Sequence, residues 1–570
     1  MTGKRIGKPE VVRLAANLGD YDRVCADFSW EAEGLALSGL PHGRGLNIAH
    51  EAADRYAAGP RRDHAALRWT GHDGRPAELS YCALAAQSNR FANLVRSLEI
   101  PGGERIFTLL GPGPDLAVAA LGTLKSGCVL APLSGSAGRD PVRQWMRNGQ
   151  AGVLVTTPEL YRRTVEGSRD DIPSLRQVLI TGAVAMPGTH ALVPALAACP
   201  ATFDIPPTAP DDPALLLLTS GTTGAPKGVL HAHGSVLTHY VSARYALDLH
   251  RDDVYWCTAD PGWSLGIVHG LIAPLSHGIT SVCEDTASPS DVLAGHGVTV
   301  WFTDPRCLDA LRESGTAPEL PRLRFLAGTG EPLSPETVLW SHDSLGLPVH
   351  NAWAQTETGA TLIADFAAEE IRPGALGRPL PGIETCLLDP DGDGEISEPE
   401  QEGELAVRAG WPSMFSGYWR APDRYDRSFS DGWYRTGDLA RRDEDGYYWC
   451  TGRVADVLTV GGRLVGPVDI EGALTAHPAV AEAGVIGLPG SGGDDRIKAF
   501  VALREGHLAT AGLAAEMLAF ARHMLGDGAP AELEFSPGLP RTRSGKLVRR
   551  LLKARELGLP EGDLSTVEGM

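Results

Sequence analysis

The sequence predicts an α/β protein of at least two domains, and three observations carry that expectation. The chain has 570 residues, more than a single hydrophobic core supports. Between about residue 50 and residue 370, short apolar runs such as Ala214 to Leu218 alternate with helical patterns, giving two α/β halves. Strand-rich sequence punctuated by Gly and Pro follows to about residue 450, and alternating strand and helix patterns fill the rest, so a boundary is expected near Arg453.

Composition narrows the function classes. A hydrophobic content of 43% with a mean hydropathy of −0.10 is ordinary for a globular chain in water. No apolar run approaches the length of a membrane span, and the first ten residues lack a signal-peptide core, so no membrane partner and a cytoplasmic location are expected. The nine cysteines include no CxxC pair, which points to neither a disulfide framework nor a zinc site. A net charge of −20 argues against a nucleic-acid partner, and any anionic substrate needs a local positive site working against the overall field.

The first such site is read at residues 219–228, Thr-Ser-Gly-Thr-Thr-Gly-Ala-Pro-Lys-Gly, directly after the apolar run. Its hydroxyls, small residues and single lysine suit a loop that wraps a polyphosphate, because glycine lets backbone N–H groups approach the oxygens. It is not a Walker A loop, which needs Gly-Lys followed by Ser or Thr, whereas Lys227 lies between Pro226 and Gly228. Lysine usage supports the reading. The only lysines are Lys4, Lys8, Lys125, Lys227, Lys498, Lys546 and Lys553, so those inside glycine-rich motifs, Lys227 and Lys546, mark positions where a compact ammonium is wanted.

Further motifs follow in order: Asn351-Ala-Trp-Ala-Gln-Thr-Glu-Thr-Gly359, Gly432-Trp-Tyr-Arg-Thr-Gly-Asp438 and Pro540-Arg-Thr-Arg-Ser-Gly-Lys546. Together they resemble the AMP-forming acyl-CoA synthetases of the adenylate-forming superfamily, over nearly the whole chain. Asp253 to Trp263, Gly330-Glu-Pro332, Gly410-Trp-Pro-Ser413 and the ending Gly-Asp-Leu-Ser-Thr566 are similar to the shorter bacterial acetyl-CoA synthetases within that group. The resemblance implies a large N-terminal domain, residues 1–452, built from two α/β subdomains and a β-barrel-like one. It implies a small mobile α/β lid, residues 453–570, that carries a catalytic lysine.

The implied reaction has two steps. A carboxylate attacks the α-phosphate of ATP to give acyl-AMP and pyrophosphate, and the thiolate of coenzyme A then displaces AMP. By the family pattern Thr219, Ser220, Gly221, Thr222, Thr223, Gly224 and Lys227 hold the β- and γ-phosphates, and Glu357 binds a Mg²⁺ that bridges them. Gly330, Glu331, Pro332, Asn351, Ala352, Trp353, Gln355 and Thr356 line the adenosine site, Asp438 accepts the ribose hydroxyls and Arg453 assists there. Lys546 bridges the carboxylate and α-phosphate oxygens as charge develops, and in acetyl-CoA synthetases it is also a target of lysine acetyltransferases and deacylases. Gly461 and Gly462 approach the pantetheine arm, Arg522 stands near the 3′-phosphate, and a second Mg²⁺ falls at Thr475, His477 and Val480, where a plain structural turn is the alternative.

The chain departs from the family in three places. The pivot of the lid usually carries Asp or Lys where this chain has Ala455, followed by Asp456. An arginine usual at position 464 is replaced by Leu464, with Arg463 one residue earlier. The tryptophan that closes the acetate pocket is replaced by Ala354, while Trp263 is kept and Ser264, Leu265 and Thr329 replace Val, Thr and Val. Space for several methylenes at roughly 0.8 kcal/mol each favours an acid larger than acetate unless neighbours refill it. Thr329 and Ser264 also offer hydroxyls to a polar acid.

A stretch at 389–400, Asp-Pro-Asp-Gly-Asp-Gly-Glu-Ile-Ser-Glu-Pro-Glu, matches an EF-hand loop, but its flanks read as strands, so an acidic hairpin is expected. Two other readings stay open: a ligase that loads a carrier protein, and a homologue that binds nucleotide without turnover.

Overall fold

The computed structural model describes residues 4–71, 73–219, 227–284, 288–313, 315, 320, 322–330, 333–390, 392, 394–460, 463–489, 495–542, 546–561, 564 and 567. Contacts divide these residues into two compact units, one of 4–219, 227–383 and 409–427, the other of 384–408 and the residues from 428 onward.

The first unit is built on two mixed sheets. One has nine strands in the order Arg378–Pro379, Ile363–Ala364, Val349–Trp353, Phe325–Thr329, Val300–Thr303, Val254–Cys257, Thr280–Val282, Ala65–Thr70 and Pro76–Ser80. Its six central strands run parallel. The other has eight strands, Gly417–Tyr418, Lys227–Ala232, Pro213–Thr219, Val129–Leu133, Arg105–Leu109, Val153–Thr156, Gln177–Ile180 and His190–Ala191. Strands covered on both faces read as unbroken apolar runs, and Val300–Thr303, Phe325–Thr329 and Val129–Leu133 are buried at every position.

Helices Tyr81–Ser97 and Pro114–Lys125 pack closely because Gly122 has no side chain; a Cβ there would stand 2.6 Å from the Phe91 side chain. The second helix ends on Lys125, which is fully buried. Its ammonium donates to Asp54 Oδ1 at 2.7 Å and Asn89 Oδ1 at 2.8 Å, which offsets its removal from water. Burial still lowers its pKa, with Asp54 acting against the shift.

Parallel strands place their carboxyl ends on one edge, where α/β sheets gather ligand-binding residues. Trp263, Ser264 and Leu265 follow Val254–Cys257 there, Thr329 ends Phe325–Thr329, and Ala354 follows Val349–Trp353. The 259–266 segment is fixed by Asp260, which accepts from the Gly262 amide at 2.7 Å and from the Ser134 hydroxyl at 2.5 Å.

In the second unit, Thr385–Leu388, Glu402–Arg408, Trp433–Arg442, Phe429–Ser430 and Tyr448–Arg453 form an antiparallel sheet. The acidic 389–400 stretch connects two of these strands and carries an isolated bridge, Leu388 to Glu395, so it is the strand-flanked hairpin that its sequence context indicates. A second sheet, Val480–Pro489, Asp495–Leu503 and Glu532–Phe535, packs on helices Pro467–Thr475 and Ala511–Leu525 through Ile470, Leu474, Met517 and Ala521. Among the described residues no helix is long and apolar enough to cross a membrane.

Close backbone approach generates a paired prediction. A Cβ on Gly262 would lie 2.1 Å from the Ser134 amide, whereas one on Gly295 meets nothing within 4 Å. Gly262→Ala is expected to lower stability by about 1–3 kcal/mol, and Gly295→Ala to leave it within about 0.5 kcal/mol. Thermal denaturation of the two variants checks the contrast.

Candidate active site

The strand Pro213–Thr219 turns back as Lys227–Ala232 with Thr219 paired to Lys227, so the lysine end of the expected phosphate loop springs from a closed hairpin base. Ser220, Gly221, Thr222, Thr223 and Gly224 lie outside the described residues. The short edge strand Gly417–Tyr418 pairs with Lys227–Ala232, Tyr418 opposite Val229. This brings the Tyr418 ring to 5.4 Å from the Lys227 ammonium, within cation–π range. The phenol donates to Glu357 Oε1 at 2.8 Å. Tyr418 thus links two residues that the sequence singled out, and no local motif marks it.

Glu357 sits in a tight turn after Val349–Trp353, with the Thr358 amide donating to Gln355 O and the Gly359 amide to Thr356 O, both at 3.2 Å. Gly359 has φ +71°, and a Cβ there would meet Ser413 O at 2.5 Å and the His231 ring at 2.9 Å. His231 itself is fully buried, with Nδ1 3.0 Å from Ser413 O and Nε2 2.8 Å from Thr356 O. Burial pushes its pKa down, while the two carbonyls and the Glu357 carboxylate oppose the shift. One imidazole therefore ties the Lys227 strand, the Glu357 turn and the segment leading to Tyr418. Ser413 completes the tie, its hydroxyl donating to Thr358 O at 2.6 Å and its amide to Thr238 Oγ1 at 3.0 Å.

Asn351, Ala352, Trp353 and Gln355 are all buried. Asn351 spends its side-chain donor on Ala375 O at 2.9 Å, and its amide donates to Asp365 Oδ2 at 2.9 Å. Asp365 is a second residue that sequence reading missed. Burial raises its pKa to about 7, while the Asn351 amide and Lys8 act to lower it. Lys8 reaches His350 Nε2 at 2.6 Å, and His350 Nδ1 meets Leu326 O at 2.9 Å, so a neutral imidazole donates from Nδ1 and accepts from the lysine. Gly330 follows the strand Phe325–Thr329 with φ +103°, while Glu331 and Pro332 lie outside the described residues.

Trp263, Leu265 and Ala354 share one apolar cluster with Phe302, Phe325 and Ala352. The expected polar wall is different. Thr329 is 1% exposed and its hydroxyl donates to Ala352 O at 2.7 Å, because the two residues face each other in adjacent strands. The Ser264 hydroxyl accepts from Thr356 Oγ1 at 3.4 Å. The Thr329 hydroxyl is therefore spent on the backbone, whereas Ser264 only accepts and keeps its own O–H as a donor.

In the second unit, Asp438 and Arg453 are partners across adjacent strands, with Arg453 Nε 2.8 Å from Asp438 Oδ1. The Asp438 amide also donates to Thr436 Oγ1 at 3.0 Å. The short helical turn Val454–Asp456 follows. Asp456 pairs with Arg549 at 3.3 Å, and Arg549 pairs with the half-buried Glu471 at 2.6 Å. Arg549 begins the helix that follows Lys546. Lys546 closes a turn in which its amide donates to Thr542 Oγ1 at 3.1 Å and its carbonyl accepts from the Thr542 amide at 2.8 Å.

The expected coenzyme residues are less fully placed. Gly461 and Gly462 lie outside the described residues, Arg463 opens the strand Arg463–Val465, and Arg522 is exposed in the last turn of Ala511–Leu525. Thr475, His477 and Val480 form the turn between a helix and a strand, where the Thr475 hydroxyl donates back to Glu471 O and Gly472 O at 3.0 Å and His477 O accepts the Val480 amide at 3.0 Å. At Glu357, by contrast, only one carboxylate oxygen is bonded by Tyr418, and a single carboxylate suits Mg²⁺, which keeps several waters and takes its other ligands from phosphates.

Residues 54–419 match the family model described as AMP-binding enzyme, and residues 469–546 match that of the AMP-binding enzyme C-terminal domain. Acetyl-coenzyme A synthetase of Bacillus subtilis (strain 168) is 39% identical over 565 residues, covering 97% of this chain and 98% of the relative. Acetyl-coenzyme A synthetase 2 of Pseudomonas aeruginosa is 35% identical, covering 92% and 86%. Among solved structures, an acyl-CoA synthetase of Brucella canis matches with a TM-score of 0.72 and 30% identity over 94% of this chain and 99% of that one. An anthranilate CoA ligase in complex with anthranoyl-AMP matches with a TM-score of 0.81 and 25% identity over 90% and 98%.

The His231 tie predicts a graded series. His231→Ala removes the imidazole from between Ser413 O and Thr356 O, of which Thr356 O keeps the Gly359 amide; one buried carbonyl left without its donor costs about 1–3 kcal/mol, so thermal stability falls and the Glu357 turn loosens. His231→Asn, which keeps one donor, is expected to recover part of both losses. Calorimetry and the Mg²⁺ dependence of ATP binding read the two effects separately.

Proposed function

Because the chain belongs to the family of AMP-binding enzymes and is an AMP-forming acid–thiol ligase of the acetyl-CoA synthetase type, we propose that it converts an acid larger than acetate, ATP and coenzyme A into acyl-CoA, AMP and pyrophosphate through an acyl-adenylate. The observation that carries the ATP side of this reading is the Lys227–Tyr418–Glu357 chain at the base of the phosphate loop. A cation and a carboxylate held by one phenol are preorganised for the triphosphate.

In the first step two anions must meet. Lys227 and the loop it closes hold the outer phosphates, while the buried strand Val349–Trp353 and the Glu357 turn orient the nucleotide. Glu357 would hold Mg²⁺, which would supply neutralisation of phosphate charge. Asp438 accepts the ribose hydroxyls with Arg453 holding its carboxylate in place. Lys546 contributes positive charge where the carboxylate attacks, and withdraws when the lid swings about residues 454–456 to admit the thiol. Asp456, through Arg549, supplies the polarity that Ala455 lacks.

The larger acid is supported by Ala354, which joins Trp263 and Leu265 in an apolar cluster without contributing bulk. Each added methylene buried there contributes roughly 0.8 kcal/mol. The protein partners that follow are an acetyltransferase and a deacylase acting on Lys546, in the cytoplasm.

Two experiments test the reading. Ala354→Trp is expected to swing the ratio of kcat/KM for acetate over butyrate by at least about tenfold toward acetate; an unchanged ratio in pyrophosphate-release assays removes the enlarged pocket. Asp456→Asn is expected to slow adenylation about tenfold while thioester formation from supplied acyl-adenylate is retained. Equal loss of both half-reactions removes the hinge assignment, and turnover only with a carrier protein in place of coenzyme A moves the enzyme to the carrier-loading class.

A further inference from the structure

The nine-stranded sheet has a second edge. Three neighbouring parallel strands, Ala65–Thr70, Thr280–Val282 and Val254–Cys257, begin at the end opposite the candidate active site. At 3.3 Å per residue a four-residue strand separates the two edges by roughly 13 Å. A cavity of about 750 Å³ opens among the segments that lead into these strands, and its walls include Arg55, Arg61, Arg244, Arg251, Tyr240 and His277.

Among the described residues no aspartate or glutamate lines this cavity, in a chain whose net charge is −20. The carboxylates that pair with its arginines stand outside the lining: Glu51 at 2.8 Å from Arg55, Asp252 at 3.2 Å from Arg61 and Glu33 at 3.0 Å from Arg244. Arg251 is exposed and has no ion-pair partner among the described residues. The Arg55 and Arg61 guanidiniums are also held in place. Arg55 donates to Ala36 O, and Arg61 donates to Gly278 O and Arg251 O, each at 2.7 Å. Arg55 Nε is buried without an acceptor. Arginine donors fixed in this way meet an anion with little further loss of side-chain freedom.

Aromatic rings form part of the wall. Tyr240 and His277 are parallel with centroids 4.0 Å apart, and His277 Nε2 lies 2.9 Å from Tyr240 O. Burial pushes His277 down to about 4, so it stays neutral and the positive charge here belongs to arginine. Tyr240 and Arg244 are four residues apart on the helix Val236–Tyr245 and share a face.

We propose that this cavity is a second anion site, remote from the adenylation edge, that binds a small phosphate-bearing ligand. Four guanidiniums offer more donors than one carboxylate accepts, and their fork geometry matches phosphate oxygens. The assignment rests on the cavity alone and is independent of the reading of the active site.

The test is hydrogen–deuterium exchange of the full-length protein titrated with inorganic pyrophosphate in one arm and AMP in the other. Slowed exchange in peptides covering 55–61 and 240–251 is expected from at least one probe. Pyrophosphate alone acting identifies a free phosphate ligand, and AMP alone acting identifies a nucleotide-borne one. Arg251→Gln, at an exposed position, is expected to weaken that protection about tenfold and to leave protection of 227–232 unchanged. Arg244→Gln provides an independent second variant. The proposal is overturned if neither probe slows exchange in 55–61 and 240–251, or if the protection there is the same in both variants as in the parent.

Discussion

One antiparallel pairing governs the candidate active site: the edge strand Gly417–Tyr418 against Lys227–Ala232. Loop closure between parts of the chain this far apart is costly, and the pairing is reinforced where the cost is greatest. His231 and Ser413, 182 positions apart, meet in a fully buried contact. Because the same imidazole reaches Thr356 O, the phosphate-loop base and the Glu357 turn are set by a single side chain. Rigid support of this kind holds charged groups for catalysis without reorganisation at the moment of reaction.

Much of the frame is legible in the sequence because its causes are local. Unbroken apolar runs mark strands buried on both faces, and Val300–Thr303 and Phe325–Thr329 follow that rule. The acidic 389–400 stretch reads as a hairpin since its flanks alternate like strands, and they pair as such. Lys227 is marked by the chemistry of its loop, and Glu357, Asp438 and Arg453 by the resemblance to the family. What escaped is non-local. Tyr418, His231, Asp365 and Arg549 have no motif of their own and acquire meaning from partners on distant elements.

The acyl pocket shows why residue type alone misleads. A threonine at 329 suggests a polar wall, but its neighbour across the strands offers a carbonyl and takes the hydroxyl. A buried hydroxyl bonds the nearest backbone acceptor before it is available to a ligand. The apolar neighbours Trp263, Leu265 and Ala354 are unaffected by this choice, so size remains a sequence feature that bears on the acid.

The scarcity of lysine has a chemical consequence. An acyl-adenylate is a mixed anhydride, open to attack by any unprotonated amine that reaches it. Lys125 is fully buried against Asp54 and Asn89, Lys498 is 8% exposed and paired with Glu534 and Glu556, and Lys8, whose pKa burial lowers to about 8, is engaged by His350. An enzyme that manufactures an acylating agent while keeping its own amines few, and several of them sequestered, limits the self-labelling that would otherwise accumulate over many turnovers.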